Sequence, residues 1–294
     1  MDINFDNIQA LDTMVSAAFQ KGLTTADTSY EAIATVLTSS GKYNTYTWLG
    51  QITSLREWVG DRVIDEIAGH SYTLVNKKWE KTLAIPADDI KDDQYGNYAF
   101  VAEDIGKDAV ASKGRLVWKA LQDGELATSL GYDGVPFFSA NHPVGDGVQS
   151  NIMPGAGPAW YVMDLSKTLK PLIFQLREDV TVTALINPTD ANVFFSDKYI
   201  WGANARFNAG YGMWQTAVKS KDVLTDETLG EARARMRSFT DDAGVPLAVV
   251  PTTLVVGASN EMAALKLVNA MNLATGETNI NKGLYKLIVS PYLP

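Results

Sequence analysis

The chain has 294 residues, 46% of them hydrophobic, with a formal net charge of −9 and no cysteine. That length and apolar fraction are enough for a sizeable core, in one large or two ordinary domains. The missing cysteines exclude disulfides, thiolate nucleophiles and zinc–thiolate sites, and an acidic chain without a basic run is a poor match for a nucleic-acid reader, whose affinity rests on phosphate contacts.

The opening "MDINFDNIQALDTMVSAAF" (1–19) lacks the positive start and continuous apolar core of a signal peptide. Phe5, Ile8, Leu11, Val15, Ala18 and Phe19 fall at helical spacing, and Asp6 or Asn7 is placed to cap the start. A polar stretch, "GLTTADTS" (22–29), and a short helical pattern around Ala32–Leu37 follow. An arm of this kind has too few apolar faces to make its own core and is expected to lean on something else. No segment approaches the roughly 18 apolar residues of a membrane span, so a soluble chain without a membrane contact is expected.

Residues 71–86, "SYTLVNKKWEKTLAIP", alternate apolar and polar residues in two runs around "NKK". The pattern predicts two strands of an extended hairpin, with Trp79, Leu83 and Ile85 on one side of the second. The acidic "DDIKDDQYGN" (88–97) fails as a calcium loop, because the alternating-ligand frame meets Ile90 from Asp88 and Lys91 from Asp89. It reads as a solvated acidic turn.

From about Phe100 to Leu121 the period is helical, with Ile105, Ala109, Leu116, Val117, Ala120 and Leu121 forming a stripe. Gly106 and Gly114 each cost roughly 1 kcal/mol in a helix interior, which calls for close packing there or for support from neighbours. Gly124 is a stop signal. Residues 141–158 are dense in Gly, Pro and Asn and read as a long loop and domain join.

Beyond the loop the pattern predicts strands at "VTVTALI" (180–186), "ANVFF" (191–195), "PLAVV" (246–250) and "TTLVVGA" (252–258), and a closing strand in "YKLIVSPYLP" (285–294). It predicts helices at "TDETLGEARARMRSF" (225–239), capped by Thr225, and "NEMAALKLVNA" (260–270). Arg233, Arg235 and Arg237 read as salt-bridge or subunit-contact residues, with anion binding as the alternative.

Residues 132–143, "YDGVPFFSANHP", look like an active-site loop and contain His142, one of two histidines. Ser139 is near it in sequence, but no G-x-S-x-G elbow surrounds any serine. His142 therefore reads as a hydrogen-bonding brace beside Pro143, and a hydrolase base is the alternative. His70 and His142 lie in different segments without metal-ligand spacing, and no phosphate-binding glycine motif occurs, so no metal or cofactor is expected. In "YIWGANARFNAGYGMWQTA" (199–217), Trp201, Tyr211 and Trp214 read as core or subunit packing. A carbohydrate-binding surface is the alternative.

Several blocks, in order, resemble the major head subunit of Mu-like phages and prophages, the gpT family. They are "TWLGQITSLREWVGDR" (47–62), "YTLVNKKWEKTLAIPADDIKDDQYGNY" (72–98), "YDGVPFFSANHP", "DLSKTLKPLIFQLRE" (164–178), "ARFNAGYGMWQTA" (205–217), "VPLAVVPTTLVV" (245–256) and the terminal "VSPYL". The resemblance runs from about Asp2 to the end of the chain. It implies an α+β chain with the phage major capsid protein fold first described in phage Hong Kong 97. On that reading residues 1–58 are an N-terminal arm and 59–90 an extended β-hairpin loop. Residues 91–134 and 276–294 are a peripheral domain with a long spine helix, and 135–275 an axial domain.

The resemblance also implies what the chain does. Copies would form the hexamers and pentamers of an icosahedral shell, built in the bacterial host cytoplasm. The shell would enclose double-stranded DNA without binding it specifically. Scaffold, portal and decoration proteins would be further partners, and no enzymatic activity or cofactor is implied. The arm and hairpin would lie across neighbouring subunits, which makes Trp58, Trp79, Lys81, Leu83 and Trp214 the candidate inter-subunit contacts. Some shells of this fold join a loop lysine to a neighbour's asparagine, and Lys77, Lys78 and Lys81 lie in the corresponding region.

Overall fold

The stripe expected between Phe100 and Leu121 is the centre of the longest helix, and the rest of the chain is arranged along it. The computed structural model describes residues 3–46, 72–92, 96–272, 276 and 278–294. The first helix, α1 (Phe5–Thr25), is capped by Asn4, whose side chain accepts from the Asn7 amide. Strands β1 (Ala34–Thr38), β2 (Tyr43–Tyr46), β3 (Tyr72–Val75) and β4 (Lys77–Pro86) follow, then the short α2 (Ala87–Lys91) and the long α3 (Gly96–Asp123). After it come β5 (His142–Val144), β6 (Gly147–Gln149), β7 (Ile152–Met153), β8 (Trp160–Met163) and β9 (Leu172–Leu185). The remaining elements are α4 (Ala191–Ser196), β10 (Lys198–Tyr211), β11 (Ala217–Ser220), α5 (Asp226–Arg237), β12 (Thr253–Val256), α6 (Glu261–Asn269) and β13 (Lys286–Val289).

Two sheets carry the body. One has the order β1-β9-β10-β4 and the other β13-β12-β8-β11-β7. Helix α3 spans both. Its first half meets α1 and the four-stranded sheet in a cluster that includes Leu11, Val15, Ile85, Ala102 and Trp201. Its second half, Val117, Trp118 and Leu121, enters the main core with Phe137, Phe138, Trp160 and Tyr161. Strand β9 shows the same transition: Leu172–Gln175 are buried on both faces, and the "VTVTAL" half alternates as one face meets water.

Several expected elements are present: α1, α3, a Thr225-capped α5, α6 and the strands at β9, β12 and β13. Others differ. Residues 72–86 do contain two strands, with Trp79, Leu83 and Ile85 inward on the second, but they are not a hairpin. Only Asn76 separates β3 from β4, and a tight hairpin needs a two-residue turn. Strand β3 instead pairs antiparallel with β2, and β4 pairs antiparallel with β10. The ladder of β2 and β3 ends at the pair Tyr46↔Tyr72.

The "ANVFF" segment is helix α4, and "PLAVV" forms no regular strand, being limited to a single bridge from Pro246 to Thr240 between flanking prolines. The loop at 141–158 contains β5, β6 and β7. The closing strand β13, expected beside the spine helix, pairs parallel with β12, and α6 is the crossover that such pairing requires. Conversely β9 and β10, expected in a separate axial unit, form the sheet on which the spine helix lies.

The arm also departs from expectation. Helix α1 buries Ile8, Leu11, Val15 and Phe19 within its own chain, against α3 and the sheet. The reason is at Gly22 and Gly106. A Cβ on Gly106 would overlap the Phe19 carbonyl oxygen and stand 3.1 Å from the Gly22 Cα. The spine-helix glycine therefore exists to let a second helix backbone approach. Asp12 of α1 accepts from the Trp201 indole at 2.8 Å, and Lys21 pairs with Glu103 at 2.8 Å.

Candidate functional site

The loop from Tyr132 to Pro143 is the strongest chemical candidate in the sequence, and its geometry is that of a brace. Gly134 has φ +78°, a left-handed value that favours glycine, and Leu130 bridges to Pro136. The turn sends Phe137 and Phe138 into the core, where both are fully buried and Phe137 stacks on Tyr211 with centroids 4.8 Å apart.

His142 is completely buried. Its Nδ1 lies 2.6 Å from Asp133 Oδ2 and its Nε2 3.0 Å from Asn151 Oδ1. The Asn151 amide is oriented by donation from Nδ2 to the Phe137 carbonyl at 2.8 Å, so its oxygen faces the ring. The same oxygen accepts the Ser139 amide at 2.9 Å. The imidazole lies flat on Trp214, with centroids 4.0 Å apart and planes 8° apart. Both ring nitrogens face acceptors, and the Ser139 hydroxyl accepts from the Asn141 amide. A hydrolase base would need a nucleophile at one of those nitrogens and access for a substrate. His142 has neither.

The aromatic segment 199–217 is equally closed. Tyr199, Trp201, Tyr211 and Trp214 are all buried, which removes the stacking surface that a carbohydrate-binding module requires. Arg233 and Arg235 also turn inward: Arg233 donates to the Pro251 carbonyl at 3.0 Å and Arg235 to the Ile152 carbonyl at 2.8 Å, so neither works as the expected salt bridge or anion ligand. Among the described residues, no group of three or more His, Asp or Glu side chains could hold a metal ion.

The five candidate contact residues separate. Trp58 lies outside the described residues. Trp214 is 1% exposed beneath His142 and Phe239, so it is core and cannot meet a neighbour. Trp79 is half-buried within its own chain, stacking on Phe207 at 5.3 Å and donating to the Phe207 carbonyl at 3.1 Å. Leu83 packs into the cluster beneath α1. Lys81 is exposed on the same strand, where Lys77, Lys78 and Lys81 pair with β10 rather than standing on a projecting loop.

Buried charge marks a second internal joint. Lys219 is 3% exposed, held by the Gln122 carbonyl at 3.1 Å and by Glu125 at 3.3 Å, with the Phe138 and Tyr161 rings beneath it. Burial pulls its ammonium below the usual lysine value, and Glu125 opposes that shift. Lys113 ties the spine helix to β9 through Asp179 at 2.6 Å, where the β9–β10 register shifts. Burial works to raise the Asp179 carboxyl, yet the Lys113 hydrogen bond leaves it below its ordinary value. Sequence periodicity offered no signal for either pair, because each joins segments distant in the chain.

Among the described residues, His142, Ser139 and the 199–217 aromatics close on one another and offer no open site. Residues 8–293 match the family model described as Mu-like prophage major head subunit gpT. The chain belongs to this family. It is 39% identical to the major capsid protein of Escherichia phage Mu over 98% of both chains. It is 38% identical to the Mu-like prophage FluMu major head subunit of Haemophilus influenzae, again over 98% of both. The subunit in the procapsid of bacteriophage JBD30 superposes with a TM-score of 0.84 at 36% identity, covering 99% of this chain and 100% of that one. The subunit of the JBD30 capsid gives 0.81 at 28% identity, covering 94% of both. The protein is a major head subunit with the Hong Kong 97-type fold, and the hydrolase and carbohydrate-binding alternatives fall with the closed geometry of their sites.

Proposed function

We propose that copies of this chain associate as hexamers and pentamers into a closed icosahedral head that encloses double-stranded DNA. The observation that carries the reading is the superposition of nearly the whole chain on a procapsid subunit. The surface supports it. Phe194 and Phe195 are 74% and 80% exposed on α4, at the far end of the β9–β10 ribbon, and Met271 and Ile280 are each 73% exposed. Exposed large apolar groups of this kind mark association sites. Single contacts are weak, but a closed shell repeats each of them around every subunit.

The net charge of −9 suits a wall that must hold DNA without gripping it. The extended loop is proposed to lie within residues 59–90, as the family resemblance implies. The four-stranded sheet with α3 takes the peripheral role, and the five-stranded sheet the axial one. Assembly in the host cytoplasm with scaffold and portal proteins follows the same reading. The JBD30 capsid carries minor capsid protein trimers, and a comparable outer protein is proposed here. The test is negative-stain microscopy of the purified chain across salt and crowding conditions. Shells, tubes or capsomers are the expected result, and a persistent monomer under every condition sinks the proposal.

A further inference from the structure

Residues 47–71 are bracketed by two short strands that could not hold themselves. A four-residue ladder of β2 and β3 is marginal in water, yet a set of buried side-chain hydrogen bonds fastens both strands to the large sheet. Gln175 is at its centre. It lies on β9, fully buried, with its backbone fixed between Leu37 of β1 and Asn208 of β10. Its Oε1 accepts from the Tyr46 hydroxyl at 2.8 Å, and its Nε2 donates to the Leu74 carbonyl at 3.1 Å and to Asn76 Oδ1 at 2.7 Å. One amide thus holds both strands of the ladder, through Tyr46 of β2 and Leu74 of β3.

The neighbouring contacts repeat the arrangement from β10. Asn208 Nδ2 donates to the Val75 carbonyl at 2.8 Å, and the Tyr211 amide donates to the Tyr72 hydroxyl at 3.0 Å. Tyr46 and Tyr72 stack with centroids 6.4 Å apart across the last ladder position. Gly210 leaves the room this needs: a Cβ there would stand 2.5 Å from the Tyr72 hydroxyl oxygen and 3.0 Å from the Leu74 methyls. A buried amide with both donors and its oxygen engaged is directional in a way that apolar packing is not.

We infer that Gln175 is a positioning residue, which fixes the orientation of the β2–β3 ladder on the large sheet for assembly with a second copy of this chain. The inference rests on the shell reading, because only there is the orientation of the ladder used. The bonds this amide makes join β9 to the β2–β3 ladder and lie outside the two larger core clusters, so their loss is expected to act first on the orientation of the ladder.

The experiment combines hydrogen exchange of the purified chain with particle imaging, for wild type, Gln175→Met and Gly210→Ala. Gln175→Met keeps the volume and removes the hydrogen bonds, and Gly210→Ala wedges Tyr72 off β10. In both, amides of 43–46 and 72–75 are expected to exchange about tenfold faster, with α3 and β12 protected as in wild type, and particles are expected to be fewer or irregular. Unchanged protection at 43–46 and 72–75 overturns the inference. So does loss of protection throughout the chain in both variants, which would make these residues general core supports. Loosened strands with particles of wild-type number and shape overturn it as well. A wild-type chain that builds no particle overturns the shell reading instead, and the exchange results then decide the positioning role alone.

Discussion

Gly22 and Gly106 face each other across the crossing of α1 and the spine helix, close enough that neither position has room for a methyl group. The packing they permit makes α1 part of the subunit body. Gly106→Ala should therefore be worse than neutral, although alanine is the better helix former. Overpacking at a backbone contact costs about 1–3 kcal/mol. A denaturant melt is expected to show that loss for Gly106→Ala, and a gain of about 0.5–1 kcal/mol for an alanine at exposed Gly230 in α5, which has open space around it. Equal stability of Gly106→Ala and wild type would mean that α1 does not pack as described.

Trp79, an interface candidate, is half-buried by contacts within its own chain. Its indole stacks on Phe207 and donates to the carbonyl of the same residue. Trp79→Ala is expected to destabilise the isolated subunit by about 2–4 kcal/mol, with any fall in particle yield following from that. Thermal melting of the unassembled chain decides the matter. A wild-type melting temperature combined with failed assembly would return Trp79 to the interface.

His142 and Asp133 form a pair with almost no solvent access on either side chain. His142→Ala leaves the Asp133 carboxyl buried without its ring partner beside an emptied site, and such a buried large-to-small change costs about 2–5 kcal/mol. His142→Ala combined with Asp133→Ala should recover part of that loss, because no buried polar group is left without its partner. The comparison is made by chemical unfolding of the three variants. Full additivity of the two single losses would show that the residues do not act as a pair.

Much of this fold is legible in the sequence wherever one element suffices to reveal itself. The stripe from Ile105 to Leu121, the Thr225 cap and the alternation in "VTVTAL" each identified an element correctly. Partnership is a different matter. The alternation in 72–86 identifies two strands and says nothing about whether they pair with each other, and β4 finds β10 more than a hundred residues away. In "ANVFF" strand-like side chains lose to turn chemistry: Asp190 accepts the Asn187 amide, and Asn192 donates to the Leu185 and Lys198 carbonyls, closing the ribbon end around a helix. Aromatic residues were the least legible. Trp79 and Trp214 announce burial, but whether in the same chain or a neighbour's depends on contacts at long range. The His142 brace was readable in type, because Gly134 and Pro136 signal a turn, whereas its partner Trp214 was not.

The buried tyrosines set an alkaline limit on the subunit. Burial pushes the Tyr30 and Tyr72 hydroxyls up to about 12, and it raises Tyr132, Tyr161 and Tyr211 as well. A phenol raised in the folded state leaves stability intact below its unfolded value near 10. As pH climbs from 10 toward 12 the unfolded chain loses those protons first, and each such tyrosine removes about 1.4 kcal/mol of stability per pH unit. Lys219 acts in the opposite sense. Its lowered folded value means that stability rises with pH up to 10.5, where the unfolded lysine has also lost its proton. The sum is a subunit that holds to about pH 10 and then unfolds cooperatively. With circular dichroism and tyrosinate absorbance followed together through an alkaline titration, the absorbance step of the buried rings should coincide with the loss of dichroism. Tyr30→Phe should move that transition to higher pH. Tyrosinate absorbance that rises well before the dichroism changes would show that these rings ionise inside a folded chain, against the burial that holds them.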